Sequence, residues 1–284
     1  MRSSYGVSIS NLLHLTDFSQ GSGIAYVHAL RIAVAVKGSL EILHIQQEEE
    51  HATWDRYPGV RDTLCKWKLL PAEAERGDVA KLGVHISKAA CQAKEPIQGV
   101  LDHLERRDAD LVVMATHRRG GLDRWLHDSI AESLSDATET GALLIPYDVD
   151  GFVDSETGEV TLRRILVPVD FAPDPQPVIS AVAELVEAIA PHNVEIRLLH
   201  VGDRARTPTL MLPGSDTCVW NWGHREGYVV DAICNDALEN DVDLIAMTTN
   251  GHDGFLDALR GSTTDRVLHR TQCPLLSIHS GSNE

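Results

Sequence analysis

Residues 248–268, TTNGHDGFLDALRGSTTDRVL, set Gly251, Gly254 and Gly261 ahead of Ser262 and Thr263. Glycine lets the backbone adopt positive φ and come close to a ligand, and a Gly-Ser pair opening a helix aims unpaired amides at an anion. Amides flanked by hydroxyls make a phosphate cradle. The apolar run at 244–247 reads as a buried strand, so the loop hangs from a strand's carboxyl end, where open α/β sheets bind their ligands. Asp170 ends another such strand, ILVPVD, and would accept hydrogen bonds from a base or ribose at the far end of the same ligand.

The same residues have plainer uses. Glycine turns after strands are common, Asp128 and Ser262 are both good helix caps worth about 1 kcal/mol each, and Asp17 and Asp170 suit turns closed by their own carboxylates. A ligand is favoured by the combination: nine residues between Gly251 and Gly261-Ser262, together with an aspartate ending the first strand of the same unit. Other chemistry is harder to place. The stretch HIQQEEEH at 44–51 holds two imidazoles and three carboxylates, but His44 falls on a strand and no pair has H-x3-H spacing, so a solvated acidic loop is expected rather than a metal site. His117 and Asp123 have no nearby Ser or Cys on a recognisable nucleophile elbow, which removes the triad reading.

Composition narrows the partners. The 284 residues are 43% hydrophobic and 24% charged, as in a globular protein, with a formal charge of -17. That charge repels a phosphate backbone, and the chain has no basic stripe to overcome the repulsion, so nucleic acid is not an expected partner. The opening MRSSYGVSIS has no apolar core of a leader, and the longest apolar stretch is interrupted by His28 and Arg31, so no membrane association is expected. Five cysteines without a C-x-x-C pair fit neither a disulfide framework nor a thiol redox motif, and point to a reducing cytoplasm.

The chain also repeats itself. LLHLTDFS from Leu12 matches ILVPVDFA from Ile165, and ADLVVMATHRRGGLDRWLHDS from Ala109 matches VDLIAMTTNGHDGFLDALRGS from Val242. Two domains follow, 1–150 and 151–284, each alternating buried strands with amphipathic helices around a mainly parallel sheet of five strands. Asp17 and Asp170 are 153 residues apart, His44 and His200 are 156, and Ser129 and Ser262 are 133, so the second copy lacks 23 residues between its second strand and its glycine loop. In the first copy that interval predicts a helix with Val60, Leu64 and Trp67 on one face; in the second, RTPTLMLPGSDT is irregular. The linker GFVDSETGEVTL suits a small hairpin, and the apolar last strands, GALLIPY and PLLSIHS, are expected to pack on each other as an internal pseudo-dimer rather than stay exposed.

This constellation resembles the universal stress protein family, in its tandem two-domain form, over essentially the whole chain. Nucleotide-binding members carry G-x2-G-x9-G-[ST] after the fourth strand and an Asp ending the first. Here Thr248 stands at the first glycine, while Gly251, Gly261 and Ser262 match the rest and Asp170 matches the aspartate. The resemblance implies an adenine nucleotide alpha hydrolase-like fold, with ATP or a related adenine nucleotide in the second domain alone. It further implies a stress protein that signals through unidentified protein partners, and leaves a further homodimer open. In the first copy Ala115, Arg118 and Asp128 replace all three glycines and only Asp17 and Ser129 remain, which reads as a pseudo-site. An enzyme of a related fold would carry H-x-G-H or S-G-G-x-[DS]-S, and neither occurs; slow ATP hydrolysis would lack a base that can be named. The alternative is a ligand-free interaction module.

Overall fold

Apolar residues on alternate sides of each short strand explain why helices cover both faces of one central sheet. The computed structural model describes residues 9–46, 54–116, 140–249 and 263–280. In the first repeat β1 (Asn11–Leu15) lies between β2 (Ser39–Gln46) and β4 (Leu111–Thr116), with β3 (His85–Gln92) outside β2 and β5 (Gly141–Pro146) outside β4, all parallel. β6 (Arg164–Pro168), β7 (Val194–Val201), β8 (Cys218–Arg225), β9 (Leu244–Thr249) and β10 (Leu275–His279) repeat that order. Along β4, Leu111 and Val113 enter one core while Val112 and Met114 enter the other. The first core packs against α1 (Gln20–Val36), α2 (Val60–Lys66) and α4 (Gln176–Ile189); the second packs against α3 (Pro96–Leu104), α5 (Val229–Glu239) and α6 (Thr263–Leu268).

An aspartate positions the two strands between which the strand order reverses. Asp110 Oδ2 accepts the amides of Ser10 (2.8 Å) and Asn11 (2.7 Å), tying β4 to the start of β1. Asp243 does the same for Arg163 (2.8 Å) and Arg164 (2.9 Å) at the start of β6. Each clamp satisfies two strand-end amides that have no ladder partner.

The halves meet through their last strands. β5 and β10 pair antiparallel, with Leu275 opposite Leu144, Leu276 opposite Leu143 and Ser277 opposite Ala142, and this joins the strands into one sheet ordered β3-β2-β1-β4-β5-β10-β9-β6-β7-β8. Leu143 and Leu276 are equivalent residues of the two repeats, so the pairing is centred on its own pseudo-twofold axis. α1 and α4 pack across the same seam.

Strand register places the missing residues. Ile196 lies 156 residues after Leu40, but Trp220 only 134 after Ile86, so 22 of the 23 are lost between the second and third strands. In the first repeat that interval includes α2, with Leu64 and Trp67 buried as its apolar spacing predicts. In the second repeat residues 207–217 form no helix or strand. The extra helix holds the linker: Trp67 Nε1 donates to the Ser155 carbonyl (3.2 Å), and Gly158, at φ +71°, lies against the Trp67 ring, where a Cβ would come within 2.5 Å. Val153 and Val160 form the antiparallel bridge of the small hairpin.

From the other side the linker is gripped by His28 of α1. This ring is fully buried, and its Nδ1–H donates to the Ile24 carbonyl (2.8 Å), so Nε2 is left to accept the amides of Phe152 (2.9 Å) and Val153 (3.1 Å). Burial lowers its pKa from 6.5 to about 4 despite the carbonyl bond. The unfolded chain takes up this proton near pH 6.5 and the folded one near 4. The stability held by neutral His28 is therefore complete above pH 6.5 and declines as pH falls toward 4, by about 3 kcal/mol in all. His28→Gln, which keeps an acceptor without a titrating ring, is expected to flatten the stability curve by one proton between pH 6.5 and 4 in urea titrations; an unchanged slope would contradict this clamp.

The seam has its own expected outcome. Leu143 and Leu276 are both fully buried, and truncating either to alanine should cost about 3 kcal/mol. Because they face each other, the double variant should deviate from additivity by at least 0.5 kcal/mol in a urea-denaturation cycle. Additive losses of under 1 kcal/mol each would remove the seam from its central place.

Candidate functional site

Sequence reasoning singled out Asp170, Thr248 and Thr263, residues far apart in the chain. The fold brings them to one cleft of about 350 Å³ at the carboxyl ends of β6, β7 and β9. β6 and β9 are the adjacent strands at which the order reverses, the place where open α/β sheets leave room between helices. Val169, Leu199, Val201, Ile233 and Met247 supply apolar walls, and Asp170, Thr248, Thr249, Thr263 and Thr264 supply the polar groups. Gly251, Gly254, Gly261 and Ser262 lie outside the described residues, between the end of β9 and the start of α6.

Asp170 is exposed. Among the described residues its carboxylate accepts one hydrogen bond, from the Phe171 amide (2.8 Å), which leaves most of its lone pairs open. Thr248 is 8% exposed, and its buried hydroxyl has no hydrogen-bond partner among the described residues. An orphaned hydroxyl of this kind costs about 1–3 kcal/mol unless something else engages it. Thr249, by contrast, is satisfied by Ser277 (3.3 Å) and the Ile278 carbonyl (3.4 Å).

The equivalent aspartate in the first repeat is also exposed, but its carboxylate is engaged by neighbouring groups. Asp17 Oδ2 accepts the Tyr147 hydroxyl (2.6 Å) and Oδ1 accepts the Ser19 amide (3.0 Å) and hydroxyl. Burial works to raise its pKa, but these bonds outweigh that and hold the carboxyl below its ordinary value. Burial and the bond to Asp17 push Tyr147 up to about 12. Ser19 also caps α1, accepting the Ser22 amide (3.1 Å), and the Tyr147 ring occupies the space that a side chain at Gly21 would need. The structure thus assigns Asp17 the turn-ordering use. Of the first-copy loop, Arg118, Asp128 and Ser129 lie outside the described residues, as do His117 and Asp123.

Two further sequence features resolve into structural bonds. His44 Nδ1 donates to the Thr16 carbonyl (2.8 Å), and its counterpart His200 makes the same bond to Val169 (3.3 Å), so both histidines fasten the second strand to the turn after the first. A second hollow, about 450 Å³ and lined by Cys234, Asp241, Asp243 and Arg270, lies beyond the amino ends of β9 and β10. Its charged groups are already engaged: Asp243 by the strand clamp and Arg270 by Asp231 (2.6 Å).

Sequence reasoning missed the apolar walls given by α5. Val229 and Ile233 stand four apart, a spacing that marks one helix face, but only the parallel order of β6, β7 and β9 brings that face to the strand ends.

Comparison with known proteins agrees with this architecture. A universal stress protein from Archaeoglobus fulgidus DSM 4304 is similar in fold over 99% of this chain and 100% of its own, with a TM-score of 0.59 at 16% identity. A functionally unknown protein from Pseudomonas aeruginosa PAO1 is similar over 98% of this chain and 95% of its own, with a TM-score of 0.60 at 12% identity. No curated protein matches the chain. Among the described residues no helix is long and apolar enough to cross a membrane. The sequence profile of the Universal stress protein family matches residues 9–146 and 222–279, more than half of the chain, and the unmatched residues between hold β6 and β7 in the same register as β1 and β2. The chain belongs to the universal stress protein family.

Proposed function

We propose that this chain binds ATP or a related adenine nucleotide in its second domain, residues 151–284, and acts in the cytoplasm as a stress protein that reports nucleotide binding to protein partners. The supporting observation is the convergence of Asp170, Thr248 and Thr263 on one cleft at the point where the strand order reverses. The nucleotide supplies a flat apolar base, a ribose and a chain of negative charge. Val169, Val201 and Ile233 fit the base, the open Asp170 carboxylate accepts its amino group or the ribose hydroxyls, and Thr263 with Gly251, Gly254, Gly261 and Ser262 receives the phosphates.

The first domain, residues 1–150, is a pseudo-site on this reading. Its aspartate is occupied by Tyr147 and Ser19, and Asp128 stands where the second domain has Gly261. A carboxylate about 4 Å from a phosphate charge opposes binding by roughly 4 kcal/mol at the effective dielectric of a protein surface, half of a micromolar affinity. Partner contact is supported by large apolar side chains beside the cleft: Phe171, next to Asp170, is 62% exposed, and Tyr228, next to Val229, is 84% exposed. Binding rather than turnover is the proposed activity.

Titration calorimetry with ATP should give one site per chain. Gly261→Asp should abolish it, and Asp170→Ala should weaken it about tenfold, the equivalent of one charge-assisted hydrogen bond. Two equal sites, or binding untouched by Gly261→Asp, would overturn the assignment.

A further inference from the structure

On the sheet face covered by α3 and α5, the two repeats build a three-residue brace at equivalent positions. In the second repeat Asp236 of α5, fully buried, accepts Arg197 Nε of β7 and Arg225 Nε of β8, both at 2.8 Å. Gly223 leaves the space Arg197 crosses, since a Cβ there would come within 2.7 Å of the guanidinium carbon. Register between the strands, with the 133-residue offset of the helices, carries Arg197, Asp236 and Arg225 back onto Glu41, His103 and Cys91.

In the first repeat, then, an acid, an imidazole and a thiol occupy the brace. His103 Nε2 lies 2.9 Å from Glu41 Oε2, and His103 Nδ1 lies 3.8 Å from Cys91 Sγ. A carboxylate only accepts, so with Glu41 ionised the Nε2 carries the proton of the neutral ring and Nδ1 turns its lone pair toward the thiol. Arg107 donates to the other oxygen of Glu41 (2.8 Å), which fixes the carboxylate and through it the ring. His103 is 9% exposed, whereas Cys91 is half-buried on β3, the outermost strand, and can be approached from solvent. Nucleophile, base and orienting acid stand in the order that activates a thiol. Among the described residues none of the other four cysteines has an imidazole partner: Cys65, for one, donates to the Pro71 carbonyl (3.1 Å).

We propose that Cys91 is a thiol-modification site that exchanges with low-molecular-weight disulfides, His103 serving as its base. The Cys91 proton passes to His103 Nδ1, and the sulfur bonds to one sulfur of the small disulfide as that S–S bond breaks. The departing thiolate takes the proton from Nδ1, leaving a mixed disulfide on Cys91 and one free small thiol, with no other oxidant consumed. The site lies in the repeat that does not carry the nucleotide cleft, and stands or falls independently of it.

The test exposes the whole protein to oxidised glutathione and follows each cysteine by peptide mass spectrometry. Cys91 should react at least tenfold faster than Cys65 and Cys234. His103→Gln should slow Cys91 by tenfold or more while leaving Cys65 and Cys234 unchanged. Unfolding would instead accelerate all five thiols together; Glu41→Gln then decides, since its amide oxygen still holds the ring and should slow Cys91 by a smaller factor. Cys91 reacting no faster than Cys65, or at a rate indifferent to both substitutions, overturns the proposal.

Discussion

The antiparallel pairing of β5 with β10 governs the rest of the molecule. Each repeat alone would end in an apolar edge strand with unpaired amides and carbonyls, an open invitation to aggregation. Setting the two edges against each other about Leu143 and Leu276 satisfies both and merges the cores on both faces of the sheet. It has a functional consequence as well. Because the halves run in opposite directions, the carboxyl ends of their strands open at opposite rims of the sheet. Among the described residues the cleft at the ends of β6, β7 and β9 is lined by the second repeat alone.

In the first repeat Asp17, Ser19 and Tyr147 close on one another at the start of α1, whereas among the described residues the Asp170 carboxylate accepts only the Phe171 amide. The interval that the second repeat lacks gives the first a helix whose Trp67, with His28 of α1, fastens the linker. The difference between the repeats is therefore a division of labour between holding the chain together and presenting a cleft.

Much of this was legible in the sequence because it depends on local pattern. The repeat, the linker hairpin, the extra helix with Leu64 and Trp67 inward, and the meeting of the last strands all follow from apolar spacing and from the cost of an exposed edge. The third strand is less legible: the apolar residues Leu82, Val84 and Ile86 suggest a strand over 82–87, but β3 spans His85–Gln92. Gly83, at φ +78°, still belongs to the preceding 3-10 turn, and an edge strand carrying Lys88, Ala89 and Ala90 lacks the branched residues that mark buried strands. Of the site, Asp170, Thr248 and Thr263 were readable from motif spacing. The brace of Glu41, Cys91 and His103 was not, because it joins two strands and a helix across 62 residues and exists only once the register is known.

The proposed nucleotide site makes two equivalent strand ends unequal. Amide hydrogen exchange with and without ATP reads both ends in a single experiment. Added protection is expected over residues 169–175, 244–249 and 263–268, with their counterparts at 16–22 and 111–116 unchanged. Equal protection at both ends, or protection confined to the first repeat, would contradict it.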